Sequence, residues 1–302
     1  MIDSVSGLVP RYNFQSHLGS GSFGSVYKAY DVFQNKTVAI KRVIKHGKIA
    51  SREHKILQKT QDCPNIIRYI DIFYTYNETT LIQNLVFEYM PMNLGRFIRD
   101  TYQESEIATK DIANIMKQIL LALKYLKSKK IMHRDIKPEN ILYDPETKAL
   151  KLCDFGSAKK ANQGENTPYI VSRYYRAPEL IFGNDDYSYE IDIWATGCVF
   201  LELFTGTPVF KGLNDGNQFI QQVYVLGPPT ALEYSKLIEK SNISPKLIAK
   251  IKMIQQKTSI RQILNNRERS SDAEDLIKLM LSYDPSNRPS PEDCLKHPFF
   301  KI

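Results

Sequence analysis

Asp135, Lys137 and Asn140 stand close together in the string His133-Arg134-Asp135-Ile136-Lys137-Pro138-Glu139-Asn140, and Asp154-Phe155-Gly156 comes a short way on. A carboxylate that can accept or orient a hydroxyl proton, an ammonium that can sit on a phosphoryl group, and two hard oxygen ligands suited to Mg²⁺ (Asn140 and Asp154) are the groups that phosphoryl transfer needs. Upstream, Val38-Ala39-Ile40-Lys41 offers a lysine for the α- and β-phosphates of a nucleotide, and Glu53 on the next predicted helix could fix its ammonium. The run Gly19-Ser20-Gly21-Ser22-Phe23-Gly24-Ser25-Val26 lies between two predicted strands. That placement argues against a dinucleotide fold, whose glycines open a helix, and suits a hairpin with its N–H groups over phosphates. Each string has a bland reading. The glycines make a turn, Lys41 is a solvated strand end, and Glu53 is a surface residue. Together with Ala177-Pro178-Glu179, in this order and spacing, the five strings describe phosphoryl transfer.

The elements that must position them are legible as periodicity. Tyr12 to Leu18, Ser25 to Tyr30, Thr37 to Arg42, Ile67 to Tyr74 and Leu81 to Glu88 read as short strands, with one helix over Lys48 to Lys59. Pro91 marks a change to helices. These are expected over Asp111 to Lys127, Tyr189 to Phe204 (apolar on most faces and so buried), Asn217 to Leu226, Lys246 to Ile254, Ser271 to Tyr283 and Pro291 to Leu295. The spacing predicts an α+β protein of two lobes, 1–88 and 89–302, with a helical insert near 231–270.

Composition narrows the rest. The chain has 302 residues, 42% apolar and 25% charged, which excludes a disordered chain, a fibre or a disulfide scaffold. Its four cysteines form no C-x-x-C pair, which argues for a reducing compartment and against zinc. The most apolar stretch, Ile191 to Phe204, contains Asp192 and Glu202 and is too short to span a bilayer. No membrane association and no signal peptide are expected. The net charge of +8 favours anionic partners, but the basic residues are scattered rather than striped, so nucleic acid is not expected as a partner.

Over essentially its whole length the chain resembles the eukaryotic Ser/Thr protein kinases. The resemblance implies a bilobal fold, with an antiparallel β-sheet and one helix in the N-lobe and a mainly helical C-lobe. It implies ATP and Mg²⁺ as cofactors, with Asp135, Lys137, Lys41 and Glu53 catalytic. Asp192 in Asp192-Ile193-Trp194 resembles the buried aspartate that holds the catalytic loop, and Arg288 the arginine that pairs with Glu179. ATP is expected against Leu18, Gly19, Gly21, Phe23, Gly24, Val26, Ala39, Lys41, Asn140, Leu142, Cys153 and Asp154. Backbone groups of Glu88 and Met90 would meet the adenine edge, and Phe87 would close the rear of the pocket as gatekeeper. Asn140 and Asp154 would hold the metal. The presence of all these groups argues against a non-catalytic pseudokinase scaffold.

Within the kinases, Lys151-Leu152-Cys153-Asp154-Phe155-Gly156-Ser157-Ala158-Lys159, the run Tyr169 to Gly183 and Asp186-Tyr187 resemble the glycogen synthase kinase 3 family. The resemblance implies substrates primed by a phosphate four residues C-terminal to the target, bound by Arg52, Arg134 and Lys159. Two guanidinium forks and an ammonium suit a dianionic phosphate. Tyr169 would be the tyrosine whose phosphorylation opens the substrate groove. Thr167-Pro168-Tyr169 also matches the Thr-x-Tyr activation loop of mitogen-activated protein kinases, where a phosphothreonine fills the chain's own basic cluster. Helix Gly47 to Glu53 does not match that of the cyclin-dependent kinases. The family's N-terminal inhibitory serine is not expected, because no basic residue precedes Ser4 or Ser6. The divergent stretch Ala231 to Ser270 leaves scaffold partners open. A cytoplasmic or nuclear monomer acting on protein substrates is expected.

Overall fold

The computed structural model describes residues 10–21, 24–45, 52–161, 172–239, 249, 253–265 and 267–301. The chain forms two compact units, Met1–Pro91 and Met92–Ile302.

In the first unit, β1 (Tyr12–Gly21), β2 (Gly24–Asp31), β3 (Lys36–Lys45), β4 (Tyr69–Asn77) and β5 (Thr80–Glu88) form an antiparallel sheet in the order β1-β2-β3-β5-β4. A helix, α1 (Arg52–Leu57), connects β3 towards β4. The expected helix from Lys48 begins among residues outside the described set. Each strand runs on into its turn beyond the β-branched core that marks it in the sequence, because the ladder keeps pairing: Asn77 still faces Thr80. Gly24 is required at its turn. Its φ is +129°, and a Cβ there would lie 2.1 Å from the Arg42 carbonyl oxygen. The sheet curls so that its edges meet. The Tyr12 ring stacks on Phe73 at 5.3 Å, and Arg11 bridges the Asp31 and Asp71 carboxylates at 2.9 and 2.7 Å. Ala29, Val38, Ile40 and Val86 fill the space inside the curl.

The second unit is mainly helical. It opens with β6 (Met92–Asn93) and α2 (Leu94–Tyr102), a helix not expected from periodicity. Its start is set by Asn93, whose side chain accepts from the Arg96 N–H. Next come α3 (Thr109–Ser128), β7 (Ile131–Met132), β8 (Ile141–Tyr143), β9 (Leu150–Leu152) and β10 (Lys159–Lys160). Of these, β6-β8-β9 form one small sheet and β7-β10 another. The remaining described helices are α4 (Pro178–Ile181), α5 (Glu190–Thr205), α6 (Asp215–Leu226), α7 (Ala231–Ile238), α8 (Ile260–Ile263), α9 (Ser270–Met280) and α10 (Pro291–Leu295). The helix expected over Lys246 to Ile254 falls mostly outside the described residues. Helix α5 is buried at every position from Ile191 to Phe204, as its all-round apolarity requires. No described helix is long and apolar enough to cross a membrane.

One buried ion pair ties the second unit's loops to its helices. Arg288 donates to both Glu179 oxygens at 2.6 and 2.7 Å, with both side chains sealed from water, and the guanidinium lies over the Trp194 ring. Removing one partner leaves a buried charge uncompensated. Glu179→Ala is therefore expected to lower unfolding free energy by about 3–5 kcal/mol in urea titration; a loss below about 1 kcal/mol, typical of an exposed pair, would contradict this role.

Candidate functional site

In the first unit, Val26, Ala39, Lys41 and Phe87 share one face of the sheet: Val26 pairs with Lys41 across β2–β3, and Ala39 with Phe87 across β3–β5. Lys41 Nζ donates to both Glu53 oxygens at 2.8 and 3.0 Å, and both side chains are buried. The strand thus places the ammonium and the helix fixes it. Leu18, Gly19 and Gly21 lie on β1 and Gly24 on β2; Phe23 lies outside the described residues. Phe87 is buried against the edge of the Tyr69 ring. Glu88 spends its N–H on the Arg68 carbonyl. Arg52 is the exposed first residue of α1.

In the second unit, Asp135 is the hub. Its Oδ2 accepts from Asn140 Nδ2 at 2.8 Å and faces Lys137 Nζ at 3.1 Å. Its Oδ1 accepts from both the N–H and the hydroxyl of Ser172 at 3.1 Å. Lys137 Nζ donates to that same hydroxyl at 2.7 Å. Nothing in its local sequence marks Ser172, and only the fold brings it to Asp135. Asn140 commits its amide nitrogen to Asp135 and keeps its carbonyl oxygen for another partner. Asp154 stands at φ 59°, ψ 74°, a left-handed conformation that turns the chain sharply into Phe155. Phe155 is fully buried against the His133 ring. Leu142 lies on β8, and Cys153 donates its backbone N–H to the Asn140 carbonyl.

Asp192, on buried α5, holds this loop. Its two oxygens accept from the His133 and Arg134 amides, each at 2.8 Å. Burial pushes the Asp192 carboxyl above the usual carboxylate range, partly offset by the nearby His133 and Arg134 and by these two amides. Arg134 takes φ 67° as a result. Its side chain is buried, with Nε donating to the Ser157 carbonyl at 2.7 Å and Nη1 to the Tyr187 hydroxyl at 2.9 Å. Lys159, also buried, pairs in register with Met132 on β7. Thr167 and Tyr169 lie outside the described residues.

The protein kinase domain matches residues 12–300. The chain belongs to the protein kinase family. It is similar to Protein kinase gsk3 of Schizosaccharomyces pombe, 38% identical over 99% of this chain and 76% of that protein. It is equally similar to Glycogen synthase kinase 3 of Trypanosoma brucei brucei, 38% identical over 96% of this chain and 83% of that one. A probable serine/threonine-protein kinase, glkA of Dictyostelium discoideum, is 36% identical over 96% of this chain and 59% of that protein. This is a serine/threonine kinase of the glycogen synthase kinase 3 branch, with the bilobal α+β kinase fold.

Sequence reasoning missed one further group in this kinase. Tyr175, in the segment after Ser172, donates to Glu202 Oε2 at 2.7 Å. Burial raises the Glu202 carboxyl from its ordinary 4.5 to about 7, against the Tyr175 hydrogen bond, and burial with Glu202 raises Tyr175. The folded state then binds a proton that the unfolded chain has released. The stabilisation is full below about pH 4.5, falls as pH rises and is gone above about pH 7. A rise from 4.5 to about 7 corresponds to a loss on the order of 3 kcal/mol. Glu202→Gln is expected to flatten the decline in stability between pH 5 and 8 relative to the parent; parallel pH–stability curves would contradict the assignment.

Proposed function

We propose that this kinase transfers the γ-phosphate of ATP to Ser or Thr of protein substrates that already carry a phosphate four residues C-terminal to the target. The observation that carries the reading is Arg134. It is a guanidinium only 5% exposed, with no carboxylate within ion-pair distance among the described residues. A buried guanidinium with no carboxylate at ion-pair distance is costly, and a phosphate dianion would supply that partner. Lys159 adds a second cation from the neighbouring strand.

Phosphoryl transfer leaves the protein mainly to position groups and neutralise charge. In the first unit, Lys41, steadied by Glu53, would engage nucleotide phosphates. Met90 follows β5 and its N–H and C=O pair with nothing among the described residues, which suits an adenine edge. In the second unit, the free oxygen of Asn140 and the Asp154 carboxylate are hard donors that fit Mg²⁺. Among the described residues no cluster of three or more His, Cys, Asp or Glu could hold a metal. Two protein ligands, with phosphate oxygens and water completing the shell, are the ordinary arrangement for Mg²⁺. When bound, the ion neutralises charge on the phosphates. Asp135 would receive the hydroxyl of the target residue, its Oδ1 and Oδ2 oriented by Ser172 and Asn140, with Lys137 beside it to meet the transferring charge. The four cysteines are free thiols, which fits a reducing compartment, cytoplasm or nucleus, and a monomer is the simplest state for such a domain.

The test is kcat/KM on matched peptides with and without a phosphoserine four residues C-terminal to the target. The primed peptide is expected to win by about 10- to 100-fold, with the gap lost in Arg52→Ala. Equal rates, with activity that requires Thr167 phosphorylation, would instead make the basic cluster an internal clamp of the mitogen-activated type. Asp135→Asn is expected to lower kcat by about 10²- to 10⁴-fold; near-parental turnover in that variant would rule out the role given to Asp135.

A further inference from the structure

The Arg134 guanidinium carries five N–H donors in a planar fork. Two are engaged. One edge is pinned by the Ser157 carbonyl, which accepts from Nε at 2.7 Å, and the other by the Tyr187 hydroxyl, which accepts from Nη1 at 2.9 Å. The remaining three have no partner among the described residues. The backbone beneath is equally fixed, because the Arg134 amide is bound to Asp192 and its φ of 67° follows from that bond.

The two anchors differ in what they depend on. Ser157 belongs to the strand approach that also carries Lys159. The β7–β10 pairing sets Lys159 opposite Met132, two residues before Arg134, so one pair of strands places both cations. Tyr187 comes from elsewhere, the segment between α4 and α5, 53 residues away in sequence. It is itself buried, so its ring is held by packing rather than by the bond to arginine. A long side chain with several rotatable bonds gains entropy by swinging away when nothing holds it. Held at both edges, the fork has one orientation, and its free N–H groups keep fixed directions in one plane.

We propose that Tyr187 is a positioning residue for the priming phosphate: its hydroxyl locks the Arg134 fork in the orientation that receives a phosphomonoester dianion beside Lys159. This rests on the primed-substrate reading. Tyr187 does not touch the reacting atoms. It acts on discrimination through Arg134, by removing the ordering cost that a free fork would bear on each binding event.

The readout that a merely structural role would not move is the ratio of kcat/KM on the primed peptide to that on the unprimed one. Tyr187→Phe keeps the ring and removes only the oxygen. The ratio is expected to fall about five- to tenfold, the upper part of the range for the net worth of an ordinary hydrogen bond, and to fall through KM for the primed peptide rather than through kcat. Thermal unfolding of the same variant checks that the ring still packs. A parental ratio in Tyr187→Phe, with the parent still preferring the primed peptide, overturns the role of Tyr187 and leaves the priming reading standing. A fall in kcat alike on both peptides, with the ratio kept, also overturns it. If the parent shows no preference, the priming reading fails, and the role given to Tyr187 fails with it.

Discussion

Asp192 carries two backbone amides on one buried carboxylate, and the loop from His133 to Asn140 takes its shape from those bonds. The His133 and Arg134 N–H groups point into α5, the most completely buried helix described. To bring both there, the chain must pass through a left-handed residue, and Arg134 accepts that conformation although glycine would adopt it more cheaply. The cost is recovered because arginine supplies what glycine could not: a guanidinium fixed between Ser157 and Tyr187. His133 gains as well, with its ring against Phe155 and its Nε2 at the Cys153 carbonyl, so the loop and the Asp154 turn share one packing unit.

The rest of the loop is held by short-range consequences of that anchor. Asp135 emerges beside Asn140, which closes back on both its carbonyl and its carboxylate. Ser172 then docks on the other oxygen and draws Lys137 with it. The outcome is a carboxylate with both oxygens directed and a cation within 3.1 Å. In the proposed reaction, whose transition state is loose, this fixed polar environment would be the protein's main contribution. The Arg288–Glu179 pair serves the same end from the other side by fixing the start of α4, immediately after the segment that carries Ser172 and Tyr175.

Most of this site is legible in the sequence where chemistry restricts residue type at short range. Lys41, Asp135, Asn140 and Asp154 can be singled out because few side chains can pair with phosphate, direct a hydroxyl or bind Mg²⁺. The five strands and the buried α5 are legible because alternation and all-round apolarity follow directly from burial. Helix α2 is not, because its buried residues are few and its start depends on a single asparagine cap. Ser172, Tyr187 and Glu202 escape for a different reason. Each acts through a contact formed across long sequence separations: 37 residues to Asp135, 53 from Arg134 to Tyr187, and 27 from Tyr175 to Glu202. A serine, a tyrosine and a glutamate in isolation carry no mark of such partners. Glu202 stands within an apolar run, and that misplaced charge is the one visible hint.

The dependence of the whole site on Asp192 is open to a direct measurement: kcat of Asp192→Asn on the preferred peptide, with folding confirmed by thermal unfolding. The substitution is nearly isosteric, but its amide nitrogen sets a donor against one of the two backbone donors. The predicted result is a folded protein whose kcat falls by about 10²-fold, since a small displacement of positioned groups is enough to lose that much. A folded variant with parental kcat would show that the His133–Asn140 loop keeps its shape without the bond, and would contradict the central role given to Asp192.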